Sequence, residues 1–255
     1  MKSRTLLVAI VLAQIALLTG CRKEIEKKPA IESTGRRLEY ERKIKLVARE
    51  IPFIVSIRSG SGVNSALVTG FFVDSRGYIV TARHAYSEPM HNARIEMFSE
   101  DGRITPLRIV GEIQTLDMAV LATDTPVAFP VATFGDILKI MKRGKYYGGS
   151  FWEEWLGLEK RMVAVRCVNK DGTPGLDRIM IGELSRWEEY GPEISFTQLQ
   201  QDLRGCSGAP IVNMSGEVLG MLTSAVGDSA HGVDAPSVSE GAQLLIEEDL
   251  KKRPQ

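Results

Sequence analysis

Short apolar runs separated by turn signals fill the chain from residue 52 onward and constrain its fold more than any other feature. The runs are rich in valine, isoleucine and phenylalanine, and glycine, proline or aspartate lies between most of them. Runs of this length are typical of strands, because a helix needs more residues to bury one face. The chain is therefore predicted to be all-β, with strands at residues 53–57, 67–73, 78–81, 93–98, 104–110, 118–122, 145–151, 162–168, 179–184, 194–199, 210–212, 218–224 and 232–236.

One helix is predicted before these strands and one after them. Charged residues dominate positions 33–50, where Tyr40 and Ile44 recur at helical spacing, which indicates an amphipathic helix packed on the domain by one stripe. A helix lying on a membrane surface is the alternative, but several glutamates dilute its positive face. Behind the last strand, Ser237 or Ser239 is predicted to cap a terminal helix.

The chain begins with a segment typical of export signals. Lys2 and Arg4 precede an apolar run at residues 6–18 that is too short to span a bilayer. The run leads into Leu-Thr-Gly-Cys21, which resembles a bacterial lipobox and implies cleavage before Cys21 and acyl chains, palmitate among them, attached through it. We therefore predict an extracytoplasmic protein anchored in the bacterial cell envelope, in the outer membrane where the cell has one. An ordinary signal peptide or an anchor helix is the alternative.

Composition excludes several classes of function. The chain has 32 basic and 32 acidic residues, so no net positive charge favours a nucleic-acid partner. Its three histidines are scattered and form no ligand set with the cysteines, so we expect neither a metal nor another cofactor. If Cys21 is lipidated, Cys167 and Cys206 remain, and they could pair in an oxidising compartment; the sequence alone does not decide this.

A serine lies between glycines in Gly205-Cys206-Ser207-Gly208, just before a short apolar strand. Glycine adopts backbone conformations that other residues resist, so this turn can aim the N–H groups of Gly205 and Ser207 at one point. An oxyanion hole needs that geometry, because negative charge develops on a carbonyl oxygen beside the attacking hydroxyl. Taken alone, the motif fits equally well a glycine-rich turn with a solvated serine.

A serine hydroxyl becomes a strong nucleophile only when a base removes its proton, and His84 is the candidate base. His91 lies in a polar stretch and His231 in a glycine-rich one, so both are interpreted as surface residues. His84 directly follows the apolar run 78–81, where the end of a rigid strand can hold its ring. A structural histidine at a strand end is the alternative.

Asp117 is the candidate that would orient this base, because it directly precedes the apolar run 118–122. A carboxylate at the start of a buried strand is costly unless it accepts a hydrogen bond. The Nδ1–H group of a histidine would satisfy it and would fix the tautomer of the ring. A turn aspartate that faces water is the alternative.

These three stretches together resemble the chymotrypsin/trypsin-like serine proteases, and most closely their bacterial HtrA-type (Deg) branch. Residues 68–85 resemble the branch's G-x-G-F/V-I-V-x-x-x-G-x-I-L-T-N-x-H-V, residues 116–121 its D-L-A-V-L, and residues 205–220 its G-N-S-G-G-P-L-V-N-x-x-G-x-V-I-G. The likeness runs from about residue 52 to 252. Two residues depart from the motif: Cys206 replaces the usual asparagine or aspartate, and Ala209 replaces the second glycine.

The resemblance implies two antiparallel six-stranded β-barrels, at about residues 51–125 and 131–235, with the active site in the cleft between them. His84 would be the general base, Asp117 its orienting carboxylate and Ser207 the nucleophile, with the Gly205 and Ser207 N–H groups as the oxyanion hole. The substrate pocket would hold a small or medium apolar side chain, although an inward-facing Asp234 would favour lysine or arginine. The predicted lining comprises Gln201, Thr223, Ser224, Ala225 and residues 232–234.

The register of the motif argues against Cys206 as the nucleophile, because Arg204 and Ser207 stand where a cysteine nucleophile would need glycines. We expect Cys206 to be a small buried hydrophobe. A neutral thiol offers no carboxylate to pair with a newly cut N-terminus, so we expect activity without N-terminal processing.

The predicted organisation is a signal peptide at residues 1–20, a tether and helix at 21–50 and a protease domain at 51–255, without a PDZ domain. The predicted function is a membrane-anchored serine endopeptidase that cleaves protein or peptide substrates through an acyl-enzyme. A binding or scaffold module on the same fold is one alternative, and an esterase that uses the same triad is another.

Overall fold

A computed structural model of the chain describes residues 30–60, 66–87, 94–98, 102–124, 128–136, 159, 161–169, 175–188, 191–196, 203–226 and 229–253. The signal segment, Cys21, Gln201 and the run predicted at 145–151 lie outside these residues. The chain divides into two compact units, Met1–Arg37 and Leu38–Gln255. Helix α1 (Ala30–Glu50) begins in the first unit, and everything that follows belongs to the second.

Six antiparallel strands close the first barrel, in the order β1-β2-β3-β6-β5-β4. Large apolar side chains pack on both faces of its strands, and Phe71, Ile79 and Leu121 are fully buried. The strands are β1 (Ile54–Ser59), β2 (Ala66–Asp74), β3 (Tyr78–Ala82), β4 (Ile95–Phe98), β5 (Ile104–Ile113) and β6 (Met118–Thr123).

Six further antiparallel strands close the second barrel, in the order β10-β11-β12-β9-β8-β7. Its core is also apolar, with Val165, Ile194 and Ile211 fully buried. The strands are β7 (Met162–Cys167), β8 (Arg178–Glu188), β9 (Gly191–Phe196), β10 (Pro210–Val212), β11 (Val218–Val226) and β12 (Ser229–Asp234). The predicted all-β fold with two six-stranded barrels and a helix at each end is thereby confirmed.

The last strand and the cap of the final helix differ from the prediction. Strand β12 ends at Asp234, and helix α3 (Ala235–Lys252) begins directly behind it. The Asp234 carboxylate caps this helix by accepting the N–H of Ser237 at 2.7 Å, and Pro236 sits in the first turn, where its missing N–H costs nothing. The prediction that Ser237 or Ser239 is the cap was therefore wrong, because Asp234, three residues before Ser237, already provides the acceptor.

Both long helices pack on the barrels by their apolar residues. In α1 the side chains of Ile44 and Ala48 are fully buried, as the predicted stripe requires. Just beyond it, the buried guanidinium of Arg166 on β7 donates to the carbonyl groups of Arg49 at 3.0 Å and Ile51 at 3.3 Å. In the part of the chain that the structure describes, no helix is long and apolar enough to cross a membrane.

Helix α3 is fixed to the first barrel by a polar cluster as well as by its apolar face. The carboxylate of Asp249 accepts hydrogen bonds from the Tyr78 hydroxyl at 2.8 Å and from both terminal nitrogens of Arg108 at 2.8 and 2.6 Å. These donors, above all Arg108, lower the pKa of Asp249 to about 2. The helix therefore stays attached to β3 and β5 by a carboxylate that is ionised throughout the physiological range.

Candidate active site

The three residues predicted to form a triad meet in the structure. His84 lies two residues beyond the end of β3 and opens the single-turn helix α2 (His84–Ser87), whereas Ser207 lies in the loop before β10 of the other barrel. The Nε2 atom of His84 lies 2.9 Å from Oγ of Ser207, although 123 residues separate them. Its Nδ1 atom lies 2.5 Å from Oδ2 of Asp117, which directly precedes β6. One imidazole thus bridges a carboxylate and a serine hydroxyl.

Asp117 has an unusual backbone conformation. Its φ of +46° is the one positive φ among the non-glycine residues that the structure describes, and this region is strained for a residue with a Cβ. The turn is held by hydrogen bonds from the Asp117 N–H to the Gln114 carbonyl at 3.1 Å and from the Arg83 N–H to the Asp117 carbonyl at 2.8 Å. Neighbouring backbone therefore holds the residue where its carboxylate can reach His84.

The environment of His84 favours its protonated form. The hydrogen bond to Asp117 raises the pKa of His84 above its ordinary value of 6.5, while partial burial and the charge of Arg83 act in the opposite direction. The side chain of His84 is 46% exposed, so water and small probes can reach the ring. A histidine with a raised pKa accepts a proton from a hydroxyl more readily, provided that the surrounding pH keeps it neutral.

Two consecutive turns carry Ser207. The Cys206 N–H donates to the Leu203 carbonyl at 3.0 Å, and the Ala209 N–H donates to the Cys206 carbonyl at 2.9 Å. The third position of each turn is a glycine with positive φ: Gly205 at +79° in the first turn and Gly208 at +82° in the second. A glycine with positive φ at this position, after a residue of negative φ, defines a type II turn. The spacing of the glycines in the motif follows from these two turns.

Gly208 also allows the two barrels to approach each other closely. A Cβ on this residue would lie 2.2 Å from the Thr69 carbonyl oxygen and 2.4 Å from Oγ1 of Thr81. Both threonines belong to the first barrel, whereas Gly208 precedes β10 of the second. Any side chain here would push the Ser207 loop away from β2 and β3.

The predicted oxyanion donors are available in this loop. Among the described residues, the N–H groups of Gly205 and Ser207 donate to no protein acceptor, although their neighbour Cys206 uses its N–H within the turn. Two unused donors beside a nucleophilic hydroxyl are what an oxyanion hole requires. Their role in catalysis stays a prediction.

Thr69 is a site residue that the sequence reasoning did not single out. Its Oγ1 donates to the Gly205 carbonyl at 2.8 Å and accepts the Val168 N–H at 3.2 Å, while its own N–H donates to the Ser207 carbonyl at 3.2 Å. This fully buried residue of β2 therefore ties the Ser207 loop to the first barrel. The signal that could have found it is a threonine in the middle of an apolar strand, since a buried hydroxyl requires partners.

Cys206 is paired, a point that the sequence alone left open. It is fully buried, as expected, but it forms a disulfide with Cys167, with a Cα–Cα distance of 4.9 Å. The end of β7 runs beside the Ser207 loop, which brings the two cysteines within bridging distance. The sequence offered no way to see this proximity, because 39 residues separate the two positions. The disulfide also provides no carboxylate, so the expectation about N-terminal processing is unaffected.

The residues predicted to line the substrate pocket lie on β11 and β12 where the structure describes them. Thr223 donates from Oγ1 to the His231 carbonyl at 3.3 Å, and Ser224 and Ala225 follow it on β11 with exposed side chains. The Asp234 carboxylate caps α3 and so already has a structural partner. The substrate-binding roles of these residues stay predictions.

Comparison with known proteins identifies the family. Residues 68–221 match the family model described as a trypsin-like peptidase domain. The chain belongs to this family. The matched segment contains the complete bridge of Asp117, His84 and Ser207, and the double barrel is the fold that the resemblance implied.

Relatives of this trypsin-like peptidase include proteins named "Probable periplasmic serine endoprotease DegP-like". One from Bartonella henselae is 27% identical over 198 residues, which cover 74% of this chain and 35% of that protein. Another from Rhizobium meliloti is 29% identical over 167 residues, covering 65% and 29% respectively. The chain thus spans about a third of the length of these relatives. Their names support a serine endopeptidase at the level of the family.

A solved structure supports the fold independently. The crystal structure of the serine endoprotease from Yersinia pestis superposes with a TM-score of 0.59 at 18% sequence identity. The alignment covers 82% of this chain and 67% of the other. At this identity the likeness concerns the fold.

Proposed function

We propose that this chain is a serine endopeptidase of the bacterial cell envelope, anchored to a membrane by lipid at Cys21. The observation that carries the catalytic part is the continuous bridge from Asp117 through His84 to Ser207, with contacts of 2.5 and 2.9 Å. A nucleophile bonded to a base, and a base bonded to an orienting carboxylate, form the arrangement that activates a serine hydroxyl.

In this mechanism Oγ of Ser207 attacks the carbonyl carbon of a peptide bond while Nε2 of His84 removes its proton. Asp117 stabilises the imidazolium that forms, and the N–H groups of Gly205 and Ser207 bind the developing oxyanion. His84 then protonates the leaving amine, which departs and leaves an acyl-enzyme on Ser207. A water molecule, deprotonated in turn by His84, hydrolyses this ester and restores the serine.

An extracytoplasmic location is supported by three independent features. The relatives that match this chain are named as periplasmic proteins. The disulfide between Cys167 and Cys206 is of a kind that persists in oxidising compartments and is rare in the bacterial cytoplasm. The segment before Cys21 has the charge and apolar run of an export signal, although it lies outside the described residues.

Labelling with a serine-directed fluorophosphonate tests the catalytic assignment. The wild type should react covalently, Ser207→Ala should not, and Ser215→Ala, which changes an exposed turn serine after β10, should react like the wild type. A scaffold protein would leave all three unlabelled. Cleavage of a peptide library without turnover of simple esters would then favour the peptidase over the esterase.

Fractionation of cells tests the anchor. Cys21→Ala should leave the membrane fraction, because no thiol is then available for acylation. Cys167→Ser is the matched control, since it removes a cysteine that the anchor does not use. Membrane association of Cys21→Ala after removal of the apolar segment would contradict the proposed anchor.

A further inference from the structure

Two neighbouring residues of the second barrel hold the loop on both sides of Gly205. Cys167 ends β7, Arg178 begins β8, and the two are paired across the strands. Cys167 is bonded to Cys206 through the disulfide. The Nη2 atom of Arg178 donates to the Arg204 carbonyl at 2.7 Å and also contacts Sγ of Cys206. The residues directly before and after Gly205 are thus each fixed by one member of a single cross-strand pair.

The contact with Arg204 determines where the Gly205 N–H points. The carbonyl of one residue and the N–H of the next point in opposite directions across a trans peptide, and no described peptide is cis. Fixing the Arg204 carbonyl on Arg178 therefore directs the Gly205 N–H to the opposite side of the loop. In the alternative type I turn this peptide plane is reversed, so the N–H and the carbonyl exchange directions.

Glycine makes such a reversal easy. It adopts positive and negative φ about equally well, so the turn residue itself does not hold the peptide in one orientation. A reversal would break the hydrogen bond between Arg178 and the Arg204 carbonyl. The arginine therefore favours the one orientation in which the Gly205 N–H points away from Arg178.

We propose that Arg178 is a positioning residue that holds the Arg204–Gly205 peptide in the orientation that makes the Gly205 N–H an oxyanion donor. This inference rests on the proposed function of the site. Because the donor is used mainly in the transition state, Arg178 affects the rate of acylation more than the binding of substrate. The residue acts through the backbone and touches no reacting atom.

Kinetics of Arg178 variants test this role. Removing one oxyanion donor outright costs about 10²–10³-fold in kcat. We expect Arg178→Ala, which only frees the donor to turn, to lose about 10- to 100-fold in kcat with KM changed by less than about 3-fold. Arg178→Lys should recover part of the loss, because an ammonium also donates to a carbonyl. Arg94→Ala, which changes an arginine with a 70% exposed side chain on another edge, should keep wild-type kinetics.

A transition-state analogue separates positioning from a general structural effect. The affinity of a peptide boronic acid should fall in Arg178→Ala by the same factor as kcat/KM. The affinity of a substrate peptide for Ser207→Ala should be unchanged by the additional Arg178→Ala substitution. The melting temperature is measured alongside, and if Arg178→Ala does not fold, Arg178→Lys and Arg178→Gln provide the same comparison.

Several results would overturn the inference. These are wild-type kcat in Arg178→Ala, a rise in KM alone, or a boronic acid affinity that does not follow the rate. Failure of the proposed function looks different, because the wild type itself would then neither cleave peptides nor react with a fluorophosphonate. In that case the amide resonance of Gly205 still reports the peptide orientation, and an unchanged resonance in Arg178→Ala would overturn the positioning role.

Discussion

The carboxylate of Asp117 contacts both the backbone and the ring of His84. Its Oδ1 accepts the backbone N–H of His84 at 3.0 Å, and its Oδ2 lies 2.5 Å from Nδ1 of the ring. The first contact fixes the main chain where α2 begins, and the second fixes the rotation and tautomer of the imidazole. A single carboxylate thus determines both the position and the protonation preference of the base.

Replacing this carboxylate by an amide should separate geometry from charge. We expect Asp117→Asn to lower kcat/KM by about 10⁴-fold at neutral pH, because the ring loses its tautomer and the imidazolium its stabilisation. Asp117 also raises the pKa of His84, so activity in the wild type is lost as pH falls through that raised value. The acidic limb of the pH–rate profile should therefore move to lower pH in Asp117→Asn. Asp124→Asn is the control, because the Asp124 side chain is 78% exposed. An acidic limb that does not move in Asp117→Asn would contradict the role assigned to Asp117.

Ser207 and His84 should behave as one unit if they are the nucleophile and the base that we propose. We expect Ser207→Ala and His84→Ala each to abolish turnover without changing the melting temperature, since His84 is exposed and Ser207 only half-buried. The double variant should be little worse than either single one, because removing one member already disables the other. Losses that multiply in a double-mutant kinetic cycle would show that the two residues act independently.

The all-β class and the three residues that meet at His84 could be singled out because their motifs are local, while the double barrel and the catalytic roles came from the family resemblance. His84, Asp117 and Ser207 each adjoin an apolar strand, and strand length and turn residues are legible in a short window. The threonine within the apolar run of β2 shows only that its hydroxyl needs a partner, and Arg178 carries no local signal, because each residue contacts the Ser207 loop from a distant part of the chain. The sequence likewise left the pairing of Cys206 open.

The role of Asp234 shows the same limit on a smaller scale. From its position near the predicted pocket, the residue could have faced inward toward a basic substrate. In the structure its carboxylate caps α3 three residues ahead, because strand β12 ends earlier than its composition suggested. A shift of two residues in a strand boundary was enough to change the partner of a charged group.

Two glycines with nearly equal φ allow strain and crowding to be measured separately. Gly208 has a φ of +82° and no room for a Cβ, whereas Gly102 has a φ of +80° and nothing within 4 Å. We expect Gly102→Ala to cost about 1–2 kcal/mol from backbone strain alone. Gly208→Ala should cost more in chemical denaturation and should also abolish activity, because the Ser207 loop must shift. Equal destabilisation of the two variants would argue against the close contact of Gly208 with Thr69.

The cluster around Asp249 predicts a stability that depends on pH. Its pKa lies at about 2 instead of the ordinary 3.8, so its contribution is complete above the ordinary value and disappears as pH falls through about 2. We expect Asp249→Asn to lose about 1–2 kcal/mol of unfolding free energy at pH 7 and almost nothing near pH 2. Asp124 also pairs with Arg108, but its side chain is exposed, so Asp124→Asn should change the free energy of unfolding little. A deficit that is constant with pH would contradict the ionic origin.

The disulfide between Cys167 and Cys206 should stabilise the fold measurably. Closing a loop over a sequence separation of 39 is expected to contribute up to about 4 kcal/mol through the entropy of the unfolded chain. We therefore expect a dithiol reductant to lower the unfolding free energy of the wild type. The double variant Cys167→Ala/Cys206→Ala should be insensitive to the same reductant. An effect of equal size on both proteins would mean that the reductant acts elsewhere.

The bond next to Ser207 also has a consequence for the cell that makes the protein. Thiols stay reduced in the cytosol, so under the proposed export a newly synthesised chain would leave the cytosol with its Ser207 loop not yet linked to β7. The disulfide would then form only outside the compartment that holds the cell's own enzymes and ribosomes. A chain retained in the cytosol should therefore hydrolyse a test peptide more slowly than the exported form. Formation of the disulfide outside the cytosol would then keep the peptidase less active until it has been exported.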